Sequence, residues 1–79
     1  MENREIHIGH LIQQKLQEQG RSITWLAKQL NYSRANMYQI FNKKWIDTDL
    51  LLKICKTINY DFFKHYSSIL NITNDVTQN

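Results

Sequence analysis

Residues 22–42, SITWLAKQLNYSRANMYQIFN, decide the fold. Leu26, Leu30, Tyr32, Met37 and Ile40 recur at the spacing that lets two short helices share one core. Ala27 is small, as a residue must be where two helices nearly touch. Asn31 sits between the two apolar runs and tolerates the positive φ that a sharp turn requires. Ser22 and Ser33 stand before the runs as N-caps. The stretch predicts a helix ending near Leu30, a turn, and a second helix running to about Phe41. Ser33, Arg34, Asn36 and Gln39 then form an outward polar row on the second helix, the arrangement that a DNA major groove can accommodate.

The charges are distributed unevenly about this stretch. Between residues 21 and 46 every ionic side chain is positive: Arg21, Lys28, Arg34, Lys43 and Lys44. The carboxylates lie outside, at Glu2, Glu5 and Glu18 before it and at Asp47, Asp49, Asp61 and Asp75 after it. The net charge of +3 therefore understates the basicity of one surface, and a local positive field favours a polyanion. A solvated basic face without a partner is the plain alternative.

Seventy-nine residues suffice for one domain with a thin core. The chain has no proline and two glycines, so no flexible linker is expected. No apolar run is long enough to span a bilayer. The N-terminal MENREIHIGH lacks an apolar signal region. The single Cys55 excludes an internal disulfide framework. These features predict a cytoplasmic protein without a membrane partner.

Outward from the central stretch, Ile8, Leu11, Ile12 and Leu16 predict a first helix over residues 3–19, ended by Gly20. Residues 42–46, NKKWI, read as a loop. Asp47 or Thr48 caps a fourth helix over residues 49–58, with Leu51, Ile54, Cys55 and Ile58 inward. Asp61 caps a fifth helix to about Leu70. Residues 71–79 are expected to form a frayed tail after the domain at residues 1–70. The fold class is all-α, with five helices and no strand.

This organisation resembles the DNA-binding domain of lambda-repressor-like, or Xre-type, regulators, with the helix-turn-helix as helices 2 and 3. The residues carrying the resemblance are Leu26-Ala27, Leu30, Asn31-Tyr32-Ser33, Met37, Ile40, Asn42 and the helix containing Leu51 and Ile54. Three positions depart from the family pattern. Asn31 replaces the usual glycine. Lys43 follows Asn42 where glycine is frequent. Ile23 stands where many members begin the second helix with a DNA-contacting glutamine, so that contact is not carried over.

The resemblance and the residue chemistry together imply double-stranded DNA as the partner. Arg34 can donate two hydrogen bonds to guanine O6 and N7, and Gln39 suits adenine N6 and N7. Ala35 permits close approach and can touch a thymine methyl, and Asn36 flanks it; these four are the expected base readers. Lys28, Ser33, Tyr38, Asn42, Lys43 and Lys44 are expected at phosphates, Ser33 also as a cap. The ordinary alternative is a phosphate contact for Arg34, packing across the helix for Tyr38, and solvent exposure or capping for the others. Trp25, Phe41 and Trp45 are either core or a contact surface. They support a rival reading as a helical protein-interaction module, antitoxin-like or adaptor.

His7 and His10 are three apart, but with His65 they match no Cys-x-x-Cys or HExxH pattern, so neither a metal nor another cofactor is expected. No catalytic constellation is visible, and no small-molecule effector is inferred. One recognition helix reads few base pairs, so a weak homodimer on a palindromic site is expected. In the fifth helix Phe63, Tyr66 and Leu70 should face inward, leaving Phe62 and Ile69 for the partner subunit; the alternative is that all of them tuck into the domain and a monomer dimerises only on DNA.

Overall fold

The computed structural model describes residues 5–70. It contains α1 (Ile8–Glu18), α2 (Ile23–Leu30), α3 (Arg34–Phe41), α4 (Thr48–Ile58) and α5 (Phe63–Leu70). The described residues contain no strand, and the fold is all-α. The expected tail at residues 71–79 and the start of the predicted first helix at residues 3 and 4 lie outside the described residues.

One core joins the first four helices. It comprises Ile8, Ile12 and Leu16 of α1, Leu26, Ala27 and Leu30 of α2, Met37, Ile40 and Phe41 of α3, and Leu51, Ile54 and Ile58 of α4. Phe62 completes it from the turn before α5. The apolar periodicity anticipated most of this set. Tyr32, expected to share the core, is instead exposed beyond the end of α2.

The turns depend on residues that accept left-handed backbone. Asn31 closes α2 at φ 60°, and Asn59 closes α4 at φ 56°. Asparagine occupies this region at a lower cost than most non-glycine residues. After Asn31 the Tyr32 N–H donates to the Ala27 carbonyl at 2.8 Å, satisfying the end of α2. Gly20 follows α1 at φ 70°, and the Arg21 N–H donates back to Leu16. Gln19 extends across to donate to the Ile58 carbonyl at 2.8 Å, tying the end of α1 to the end of α4.

α1 begins at Ile8 rather than at residue 3. The Ile8 and Gly9 N–H groups donate to the carbonyls of Lys44 and Lys43, both at 3.0 Å. A helix extended upstream would require those same donors for its own carbonyls four residues back. His7 caps the start, its Nδ1 accepting from the His10 N–H, and the two imidazoles stack 3.6 Å apart. His65 is bonded to the Tyr60 hydroxyl at 2.8 Å.

The approach of α1 to α3 is possible only because residue 9 is glycine. A Cβ there would collide with the carbonyl oxygens of Ile40 and Phe41 and lie 2.6 Å from the Phe41 carbonyl carbon. These are backbone atoms, which cannot turn aside as a side chain can.

The expected facing of the fifth helix is corrected. Phe62 is fully buried, so it cannot serve a partner subunit. α5 starts at Phe63, one residue later, and the Asp61 carboxylate accepts from the Phe63 N–H. Phe62 therefore belongs to the preceding turn, where its ring meets Tyr60 edge-on at 4.8 Å and its N–H points to Cys55 Sγ. Phe63 and Tyr66 are half-buried, and Ile69 and Leu70 are exposed.

Replacing Gly9 with Ala should destabilise the protein by about 2 kcal/mol or more, because the added methyl has nowhere to go. Gly20→Ala meets no atom within 4 Å and should cost only about 1 kcal/mol through its positive φ. Urea denaturation of the two variants should give this order, and equal costs would contradict the close approach.

Candidate nucleic-acid interface

With Met37, Ile40 and Phe41 turned into the core, 3.6-residue periodicity leaves Ala35, Tyr38, Gln39 and Asn42 on the opposite side of α3. Arg34 and Asn36 flank that row. All six are exposed. The structure thus places Arg34, Ala35, Asn36 and Gln39 on one continuous helical surface.

Three of these side chains, Asn36, Arg34 and Tyr38, are already held by their neighbours. Ser33 Oγ accepts from the Asn36 N–H at 3.1 Å, and Asn36 Oδ1 accepts from the Ser33 N–H at 3.3 Å, forming a capping box. The Ser33 hydroxyl also donates to Asn36 Oδ1 at 3.0 Å. Both lone-pair directions of that oxygen are occupied, so Asn36 in this pose can offer a base only its amide donors. Reading adenine through both N6 and N7 would require breaking the cap.

Arg34 is oriented by Tyr38, one turn on. Its guanidinium donates to the Tyr38 hydroxyl at 3.2 Å and lies 5.9 Å from the ring centroid. Tyr38 in turn meets the buried Phe41 ring edge-on at 6.2 Å. The core thus steadies Tyr38, and Tyr38 steadies the arginine. The Tyr38 hydroxyl, which accepts from Arg34, still has its own proton to donate.

The cations follow the helix around. Lys28 on α2 and Lys43 and Lys44 after α3 are exposed, as is Asn42, the C-cap of α3. Lys44 forms an ion pair with Glu5. The acid-free window of the sequence is therefore not acid-free in space. The chain segment before α1 brings a carboxylate to the loop because α1 is seated on it. Nothing in the local charge pattern indicates this. The available signal was Gly9, a residue that weakens a helix unless a close approach requires it.

The aromatic residues separate by environment. Phe41 is core, and Trp25 is half-buried with the Arg21 guanidinium 4.0 Å above its ring. Trp45 alone of the three is exposed.

The family model of the Cro/C1-type HTH DNA-binding domain matches residues 12–62, more than half of the chain. The chain belongs to that family. No curated protein and no solved structure matches it. The Cro/C1-type match runs from the second turn of α1 to Phe62. It includes both helices of the motif and the loop bearing Lys43, Lys44 and Trp45. Glu5, Gly9 and α5 lie outside the matched residues. The protein is thus a DNA-binding, lambda-repressor-like helix-turn-helix protein.

Glu5 is paired with Lys44, so a phosphate reaching that lysine would have to displace the carboxylate. Glu5→Gln should tighten duplex binding at low salt by a few fold, the range of an exposed ion pair. It should also steepen the dependence of log affinity on log salt by about one unit. Electrophoretic or fluorescence titrations at several salt concentrations measure both, and unchanged affinity and slope would contradict the competition.

Proposed function

We propose that this Cro/C1-type protein is a sequence-specific double-stranded DNA-binding transcriptional regulator of the cytoplasm. The observation that carries the reading is the outward row of α3 on a fold of this family, with Lys28, Lys43 and Lys44 around it. Lysines and backbone amides neutralise and position the phosphates, and base edges supply the specificity. Arg34 reads guanine, Ala35 meets a thymine methyl, Asn36 donates, and Gln39 reads adenine. Ser33 acts chiefly as the cap of α3. Tyr38 and Asn42 reach the sugar-phosphate strand on the side of α3 opposite the core.

Bound DNA engages two copies of the chain, one per half-site. With Phe62 in the core, the self-association surface moves to the exposed side of α4 and α5. There Leu52 and Phe63 line one groove, and Leu70 lies seven residues beyond Phe63 on the same helical stripe. Ile69 borders it. The rival reading as a protein-interaction module depended on three exposed aromatics. Burial of Phe41 and the cover over Trp25 leave it only Trp45.

Selection of bound duplexes from a random pool, followed by titration of the recovered site, tests the reading. Arg34→Ala should weaken the selected site by about 1–3 kcal/mol and relax preference at one base pair. Affinity for random duplex should change much less. Failure to recover any consensus, or an equal loss on selected and random DNA, would refute Arg34 as a base reader.

A further inference from the structure

Trp45 is the most exposed large apolar side chain among the described residues, at 75 %. Exposing an indole in water is unfavourable, and its N–H makes it suited to surfaces that are apolar on one side and polar on the other. Its neighbours restrict what such a surface can be. Lys43 and Lys44 precede it, and Ile46, half-buried behind it, packs against the core.

The backbone of the loop is held on both sides of Trp45. The Lys43 and Lys44 carbonyls are gripped by the Gly9 and Ile8 N–H groups, and the Lys43 N–H donates to Ile40. On its far side Asp47 caps α4 by accepting from the Leu50 N–H at 2.8 Å. Asp47 also lines the groove beside Trp45, with its carboxylate engaged in that cap.

The groove beside Trp45 is continuous with the recognition surface. Ile40, Lys43 and Leu50 line it together with Trp45. The same three residues line the adjoining groove that contains Asn36 and Gln39. An occupant spanning both grooves meets base-reading groups at one end and two lysines with an indole at the other. That sequence of chemistry matches one edge of a DNA groove, with bases inside and the sugar-phosphate strand at the rim.

We infer that Trp45 is a DNA-contacting residue: its indole packs on the deoxyribose of the strand bordering the groove entered by α3, and its Nε1–H donates to a phosphate oxygen. The inference rests on the reading of α3 as the recognition helix. It gives the lysine loop an uncharged contact that salt does not screen, beside charged contacts that salt does screen.

The test is titration of the selected duplex with Trp45→Ala and Trp45→Phe. Trp45→Ala should lose about tenfold in affinity on selected and random duplexes alike, with the salt slope unchanged. Trp45→Phe, which keeps a ring but not the N–H, should lose less. In a Trp25→Phe background, Trp45 emission should be quenched and shifted when duplex is added. Thermal melting should leave Trp45→Ala at the parent midpoint, separating a lost contact from a lost fold. Affinity within twofold of the parent for Trp45→Ala, with emission unmoved by duplex, would overturn this inference and leave the functional reading standing. No duplex binding by the unsubstituted protein would overturn both.

Discussion

The seating of the first turn of α1 on the end of α3 is the contact on which the remaining structure depends. Two backbone donors that any helix start leaves unsatisfied, those of Ile8 and Gly9, are paired with the Lys44 and Lys43 carbonyls. Leaving one such group buried and unpaired costs about 1–3 kcal/mol. Both helix starts and chain exits in this region therefore need each other. The contact fixes where α3 stops, how the lysine loop leaves it, and where Glu5 lies. It is possible only at a glycine. A small core can hold a recognition helix at a fixed angle in this way without many contacts, because backbone is packed directly on backbone.

The outward face of α3, proposed to read DNA, is shaped by demands that compete within the helix. Eight residues make a short helix, and its start is stabilised by Ser33 and Asn36. The same two side chains face the region where DNA is expected, so capping withdraws acceptors from the reading surface. Arg34 differs. Its contacts with Tyr38 hold it extended along the helix while leaving other guanidinium donors available. A pre-positioned arginine loses less side-chain freedom when it binds. These side chains therefore contribute differently, although the sequence presents them as one polar row.

Much of this was legible in the sequence because it rests on local rules. Ser22 and Ser33 are caps by residue type and position, and both cap their helices; of Asp47 and Thr48, either of which suits the start of α4, Asp47 is the cap. Asn31 marked the turn, and the apolar periodicity marked the buried faces of α1 to α4. The illegible features are non-local. The pairing of Glu5 with Lys44 joins residues 39 positions apart. The start of α1 is set by carbonyls from a distant loop. Phe62 followed a local rule that failed, because two adjacent phenylalanines fit either register and the start of α5 decides between them. Its burial follows from the turn at Asn59 and Tyr60, which carries the ring under Tyr60 before the helix begins.

On this proposal the surface of α3 and the loop fixed by α1 meet duplex DNA as one unit. Nuclear magnetic resonance of the isotope-labelled protein, titrated with a duplex recovered by selection, tests this directly. The largest amide shifts should fall on residues 33–46, with a second group near Lys28 and the start of α1, while α4 beyond its first turn and α5 change little. Shifts concentrated on α4 and α5, with α3 unmoved, would contradict it.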